Sequence, residues 1–476
     1  MQSVDKDERV FGGYRELLQV AWPLIVNSGT FAVLNFSDRL FLSSYGEAEF
    51  RASLPAGILF FTLVCGFMAL AGFVNTFVAQ MWGAGDKQGC ARATAQGIFF
   101  SIISIPLIMV LAPFGLWILR LSGHGPDVLV LEQEYLSILM WCGGGMTLSS
   151  ALSSFFSGRG ETRVIMVCNI VANGINVLLN YLLIFGKWGL PEMGIAGAGW
   201  ATVIGSWISP VIFAALYFSP RINAEFGTLR NLRYDHRLFK RMIRFGLPSG
   251  LHWCLDVAAF SVFVLLVGRI GDVEHIASNI ALSINLIAFM PMIGMGIAAS
   301  ILVGQYLGRE QPHYAEKAGW LALKIGAGYV AFISTTFLLF PGFYTRMFAS
   351  DTASMVPTEE LMRTVRILLA MLAVWGVADA SALILSGALK GAGDTHFVMY
   401  FQSVVAWGFL VVGQVLIVVA LKGGIYLSWG WTLCYVLILG FGFLLRFRSG
   451  RWKSIDLLDR RPSVLPEVEE SLATRL

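Results

Sequence analysis

Charge is scarce in this sequence. Asp, Glu, Lys and Arg make up 13% of its 476 residues, about half the share found in a soluble globular domain. The formal net charge is only +4, with the basic residues sitting between apolar runs. This scarcity excludes an ordinary soluble enzyme, a disordered chain and a nucleic-acid binder. Paired cysteines are lacking as well. Cys65, Cys90, Cys142, Cys168, Cys254 and Cys434 are scattered, with no CxxC among them. They read as small buried residues rather than a disulfide framework or metal site. No His-Glu-x-x-His, Ser–His pairing or acyltransferase His–Asp motif occurs in the polar loops, which argues against a membrane-embedded enzyme. A leader pattern is absent too. Residues 1–15 are polar and mixed in charge, and the run after them outlasts the roughly 7–15 residues of a signal core. The first apolar segment is expected to stay in the mature protein.

Hydrophobicity is abundant instead: 56% of residues are apolar and the mean hydropathy is +0.70. A helix needs about 20 apolar residues to cross a ~30 Å hydrocarbon layer. Twelve segments qualify, near residues 17–43, 54–82, 93–119, 131–156, 164–186, 195–218, 243–268, 277–306, 317–340, 361–389, 396–420 and 425–445. Lipid offers no partner to open backbone groups, so all are expected to be helices. The sequence predicts an all-α polytopic membrane protein with twelve transmembrane helices.

Orientation follows from the short connections. The even-numbered ones carry Lys87, Arg92, Arg159, Arg163, Lys390 and a cluster from Arg221 to Arg244, and the tail adds Arg446, Arg448, Arg451 and Lys453. The odd-numbered ones carry Glu47, Glu49, Asp127, Glu132, Glu134, Asp272, Glu274, Asp351, Glu359 and Glu360. Positive residues face the cytoplasm, so both termini are expected inside a plasma (inner) membrane.

The chain repeats itself. Pro23 matches Pro248, Gly46 matches Gly271 and Glu49 matches Glu274. Val78-x-Gln80-x-x-Gly83 matches Val303-x-Gln305-x-x-Gly308, every pair 225 positions apart. After changes in loop length, Gly158-x-Gly160-Glu161-Thr162 is answered by Gly391-x-Gly393-Asp394-Thr395. These two turns lack the Walker lysine and preceding strand of a phosphate loop. Each half holds an even number of helices, so both run the same way through the membrane. Two six-helix lobes related by a pseudo-two-fold along the membrane normal follow. The expected parts are an N-terminal lobe (1–218), a cytoplasmic linker (219–242), a C-terminal lobe (243–446) and a loosely ordered cytoplasmic tail (447–476).

Few charges sit at membrane depth: Asp38, Asp256 and Asp379, with His252 beside them. An Asp at a helix centre costs about 2.5–3.5 kcal/mol, so three cost on the order of 8–10 kcal/mol. That rivals the net stability of a domain, and a functional role is the expectation. Asp38 is followed by Arg39, which leaves an interfacial ion pair open. His252 precedes Asp256 by one helical turn on the same face, which leaves open a proton-sharing pair or a histidine satisfied by backbone or tryptophan packing. Asn169, Asn173, Asn176 and Asn180 recur at steps of four, three and four, a polar stripe that either lines a cavity or joins helices.

The stretch Asn176-Val-Leu-Leu-Asn180-Tyr-Leu-Leu-Ile-Phe-Gly186, continuing through Gly194-Ile-Ala-Gly197-Ala-Gly199-Trp-Ala-Thr202, resembles the multidrug and toxic-compound extrusion (MATE) family, NorM-like branch. Val78-Ala-Gln80-x-x-Gly83-Ala-Gly85, Phe245-Gly-Leu-Pro248 and Asp379 through Asp394 are similar to further patterns of that family. The resemblance implies a two-lobed antiporter that exports organic, cationic or amphipathic compounds in exchange for H⁺ or Na⁺. It implies ion coupling at Asp256, Asp379 and Asp38. Polar cavity positions are expected at Asn176, Asn180, Thr202, His252 and Trp375. Asp256 and Asp379 would be metal ligands only under Na⁺ coupling. Three departures favour H⁺ while leaving Na⁺ open: Asn180 where some branches have Asp, Asp256 where NorM-like members have Glu, and Trp375 in place of a tyrosine hydroxyl. No cofactor beyond the coupling ion and no nucleic acid is expected, and the working unit is expected to be a monomer in the lipid bilayer. The alternative is a lipid-linked oligosaccharide flippase of the same superfamily.

Overall fold

The computed structural model describes residues 13–121, 125–349 and 358–459. Among them the regular structure is helical throughout, and twelve helices are long and apolar enough to span a bilayer. We number them α1 (Tyr14–Tyr45), α2 (Glu47–Gly83), α3 (Lys87–Arg120), α4 (Pro126–Gly158), α5 (Thr162–Ile184), α6 (Gly194–Tyr217), α7 (His236–Val267), α8 (Val273–Gly308), α9 (Pro312–Leu339), α10 (Glu359–Gly391), α11 (Thr395–Ala420) and α12 (Ile425–Arg448). Each falls on a segment expected from the sequence. The helices α2 and α7 begin seven residues early, because Glu47, Glu49 and Arg51 in one and His236, Arg237, Lys240 and Arg241 in the other continue the helix beyond the apolar run.

Local chemistry explains the ends. Asp86 caps α3 by accepting from the Gly89 N–H at 2.7 Å, and Asp235 caps α7 through the N–H groups of Arg237 and Leu238. Such side-chain caps satisfy donors that the first turn leaves unpaired. In the repeated Gly-x-Gly turns the second glycine is left-handed in both copies, with φ +83° at Gly160 and +91° at Gly393. A side chain there would meet its own carbonyl, which explains the residue type. These turns join α4 to α5 and α10 to α11.

The helices form two six-helix lobes. Within them, α1 packs on α5 and α5 on α6, while α8 packs on α10 and α10 on α12. Between them, α1 lies along α8 and α7 lies along α2, the exchange that a two-fold axis requires. The C-terminal lobe is built around one large apolar core that also takes in Leu17, Val20 and Ala21 of α1, and the N-terminal lobe holds two smaller cores. Backbones touch where side chains vanish. A Cβ on Gly294 would lie 2.8 Å from the Ile25 nitrogen, and one on Gly250 would lie 2.6 Å from the Gly66 oxygen.

Two expectations change. The segment after α12 folds back instead of trailing away. Residues Arg451–Ser454 form a short helical turn, Trp452 is fully buried with its ring stacked 4.9 Å from Phe447, and Leu457 enters a core of the N-terminal lobe. Aromatic area as large as this outweighs the cost of ordering a short polar segment. Residues 460–476 lie outside the described residues. Of the cysteines, Cys65, Cys90, Cys142 and Cys168 are buried, but Cys254 is half-buried and Cys434 exposed, since α12 turns that face away from the bundle.

Candidate ion-coupling site

The C-terminal lobe gathers polar groups from four helices. One turn of α7 carries His252, which is buried, and Asp256, which is half-buried. A direct pair between them does not form. Gln402 of α11 reaches between, its amide nitrogen donating to Asp256 Oδ1 at 2.7 Å and its amide oxygen facing His252 Nε2 at 2.6 Å. A carboxylate only accepts, so the amide presents its NH₂ to Asp256, and the oxygen that remains takes the imidazole N–H. Spacing along α7 alone could not reveal an amide inserted from a distant helix. Tyr435 of α12 adds its hydroxyl to Asp256 Oδ1 at 3.1 Å. His252 Nδ1 is buried with no partner among the described residues. Directly after Gln402 and Ser403, α11 winds into a π-helical stretch over Val404–Val411, a form that often accompanies functional positions.

Asp379 of α10 is half-buried and lies within electrostatic reach of Asp256, with the Trp375 indole in hydrogen-bonding reach. Trp375 itself is buried against Trp429, ring centroids 5.9 Å apart. It packs beside Asp379. Lys390, which the sequence places in a connection, belongs to the last turn of α10, and its ammonium is in electrostatic reach of Asp256. Neither Asp256, Asp379 nor Asp38 forms an ion pair with Lys or Arg among the described residues. The Asp38–Arg39 ion pair is therefore absent among the described residues.

The N-terminal lobe holds the other acid. Asn180 of α5 donates to Asp38 of α1 at 2.6 Å and to the Asn176 oxygen at 2.8 Å, and Asn176 donates to the Ala201 carbonyl of α6 at 3.2 Å. Lower on the stripe, Asn173 reaches Thr30 at 3.4 Å, Asn169 donates to Asn27 at 2.7 Å and accepts from Ser209 at 3.1 Å. The stripe thus joins α5 to α1 and α6 along its length. Thr202 bonds back to the Ala198 carbonyl of its own helix at 2.9 Å and stands beside the Asn176 cluster without a bond to it.

Among the described residues no three His, Cys, Asp or Glu side chains converge as a metal cage. A cation at Asp256 and Asp379 would complete its shell with the Tyr435 hydroxyl or water.

The MatE family model matches residues 23–182 and 248–419, most of both lobes. The chain belongs to the MATE family. MATE proteins are transporters, and twelve apolar helices make this one a multi-pass membrane protein. It is 30% identical over 398 residues to the probable multidrug resistance protein NorM of Bradyrhizobium diazoefficiens, covering 82% of this chain and 84% of that one. To the protein of the same name from Neisseria meningitidis serogroup B it is 26% identical, covering 87% and 89%. In three dimensions it resembles an outward-facing multidrug resistance MATE transporter (TM-score 0.81, 19% identity, 92% and 96% covered) and the eukaryotic MATE transporter AtDTX14 (TM-score 0.80, 22% identity, 92% and 96% covered). Gln402, Tyr435 and Lys390 belong to this candidate site without being singled out by the sequence. Gln402 carried a signal, an uncharged amide inside the α11 apolar run, whereas tyrosine and a terminal lysine are common at span ends.

Proposed function

We propose that this MATE chain is a cation-coupled antiporter, using H⁺ or Na⁺ to export organic, cationic or amphipathic compounds by alternating access. The observation that carries the reading is Asp256, a carboxylate held by Gln402 and Tyr435 and in no ion pair with Lys or Arg among the described residues. Hydrogen bonds orient it, and the remaining acceptor capacity is left for an ion. Asp379, in electrostatic reach, makes ion loading at one acid felt at the other. Two carboxylates in electrostatic reach of each other repel, and a proton or Na⁺ relieves that repulsion.

The exchange runs as follows in this reading. With the acids empty, their negative charge favours a bound organic cation in the cleft between the lobes. Loading the ion from outside removes that charge, and the compound leaves. The membrane potential supplies about 2.3 kcal/mol per charge per 100 mV, plus the ion's own gradient. Asp38 with Asn180 and Asn176 forms a second polar centre in the other lobe. The even-numbered connections, rich in Lys and Arg, face the cytoplasm together with both termini, and the chain works as a monomer in the inner membrane. The names of the curated relatives favour multidrug export over the flippase alternative.

Purified protein in liposomes loaded with a fluorescent organic cation tests this. A Na⁺ gradient alone and a pH gradient alone are imposed in turn. One of them drives efflux if the reading holds; if neither does, the antiport assignment is wrong.

A further inference from the structure

The duplicated Val-x-Gln-x-x-Gly motif meets itself at the lobe boundary. Gln80 of α2 donates across the boundary to the Gly391 carbonyl of α10 at 3.0 Å. Gln305 of α8, its repeat counterpart, donates back across the boundary to the Gly158 carbonyl of α4 at 2.8 Å. The acceptors are themselves counterparts, being the first glycines of the two Gly-x-Gly turns. Both glutamines are buried, 4% and 6% exposed. The helices that carry them touch backbone to backbone at the same level. A Cβ on Gly83 would lie 2.0 Å from the Gln305 oxygen, and one on Gly308 would lie 2.0 Å from the Gln80 oxygen. Thr76 adds a longer bond to the Lys390 carbonyl at 3.4 Å. Donor, acceptor and glycine are thus each present twice, related by the two-fold, and every bond among them joins one lobe to the other.

We infer that Gln80 and Gln305 are a two-fold latch that shuts the end of the cleft bearing the even-numbered connections and has to break when the lobes rock. Helix–helix contacts in lipid rest on small residues that let the backbones approach and on interhelical hydrogen bonds. Here two buried amides reach carbonyls at helix ends of the opposite lobe, where the last carbonyls lack an intrahelical partner, so they can let go without unravelling either helix. Once the lobes part, water satisfies all four groups. The bonds are therefore strong only while the interface is dry, which makes the contact two-state. The latch also adjoins the ion site: the carbonyl gripped by Gln80 follows Lys390, whose ammonium feels Asp256.

This rests on the alternating-access reading, but its test needs neither gradient nor substrate. Spin labels on exposed Arg163 and His313, one per lobe near the latch, are placed in protein with the six native cysteines replaced, and their separation is measured by pulsed electron resonance in nanodiscs. Wild type gives mainly the short distance. Gln80→Ala/Gln305→Ala shifts the short-to-long ratio by about tenfold, as expected for two modest bonds lost together. Gly83→Ala, which leaves both amides but forces a methyl between the backbones, moves it the same way. Gln80→Ala/Gln305→Ala with an unchanged ratio overturns the latch. The antiport reading fails separately, through the liposome efflux measurement.

Discussion

Asn180 donates to Asp38 at 2.6 Å while its own side-chain oxygen stays buried without a partner among the described residues. The bond ties α5 to α1, and it needs an oxygen at residue 38, not a charge. Stability and transport should therefore part company here. Asn180→Ala is expected to lose about 1 kcal/mol, typical of an interhelical bond in lipid, read as a lower midpoint in a detergent melting scan. Asp38→Asn keeps the acceptor and should melt like wild type while efflux falls.

Gln402 joins Asp256 to His252, and no other described side chain bridges the two. Gln402→Leu leaves the buried His252 imidazole without its partner and Asp256 with the Tyr435 hydroxyl alone, which costs about 1–3 kcal/mol, chiefly at the imidazole. Ion-driven efflux should drop at least about tenfold, with protein still reaching the membrane. Gln402→Glu should fail as well, because a second carboxylate repels Asp256.

Cys65 of α2 and Cys254 of α7 come from opposite lobes, and each sulfur points at the Thr62 carbonyl, at 3.5 and 3.6 Å. The thiols are in hydrogen-bonding reach of each other. Mild oxidation should link them. After proteolysis in the connection between α6 and α7, the two halves should stay together on a gel until reduced, and efflux should stop and recover in step. Halves that separate without reductant would show that the two helices do not meet at this point.

Gly387 of α10 faces Gly296 of α8 so closely that a Cβ would lie 2.3 Å from the Gly296 oxygen. Gly387→Val should push the helices apart and cost about 1–3 kcal/mol by overpacking. Gly174, whose Cβ would meet nothing within 4 Å, should accept the same change with little loss. Side-by-side melting curves compare them.

Much of the fold was legible because lipid imposes a single rule on every crossing segment, and the 225-residue offset showed the two lobes directly. The helix ends were less so. At α2 and α7 helical propensity carries the backbone past the apolar run that hydropathy detects. At the site, the acids stood out by their cost in a membrane. What they touch did not, since periodicity gives a face and never the helix opposite. Hence Gln402 appeared where a direct His252–Asp256 contact was one expectation, Trp375 packs against Trp429, and Trp452 found a pocket that only the folded lobe creates. The repeat motif was plain in the sequence, yet its use as a contact between the two copies needed the structure.

The central claim is that Asp256 and Asp379 load the ion that drives export. Asp256→Asn and Asp379→Asn, reconstituted separately in liposomes, are compared with wild type under the gradient that drives it. Both variants should still bind the fluorescent cation in detergent and fail to expel it when the gradient is applied. Efflux at the wild-type rate from both would contradict the account.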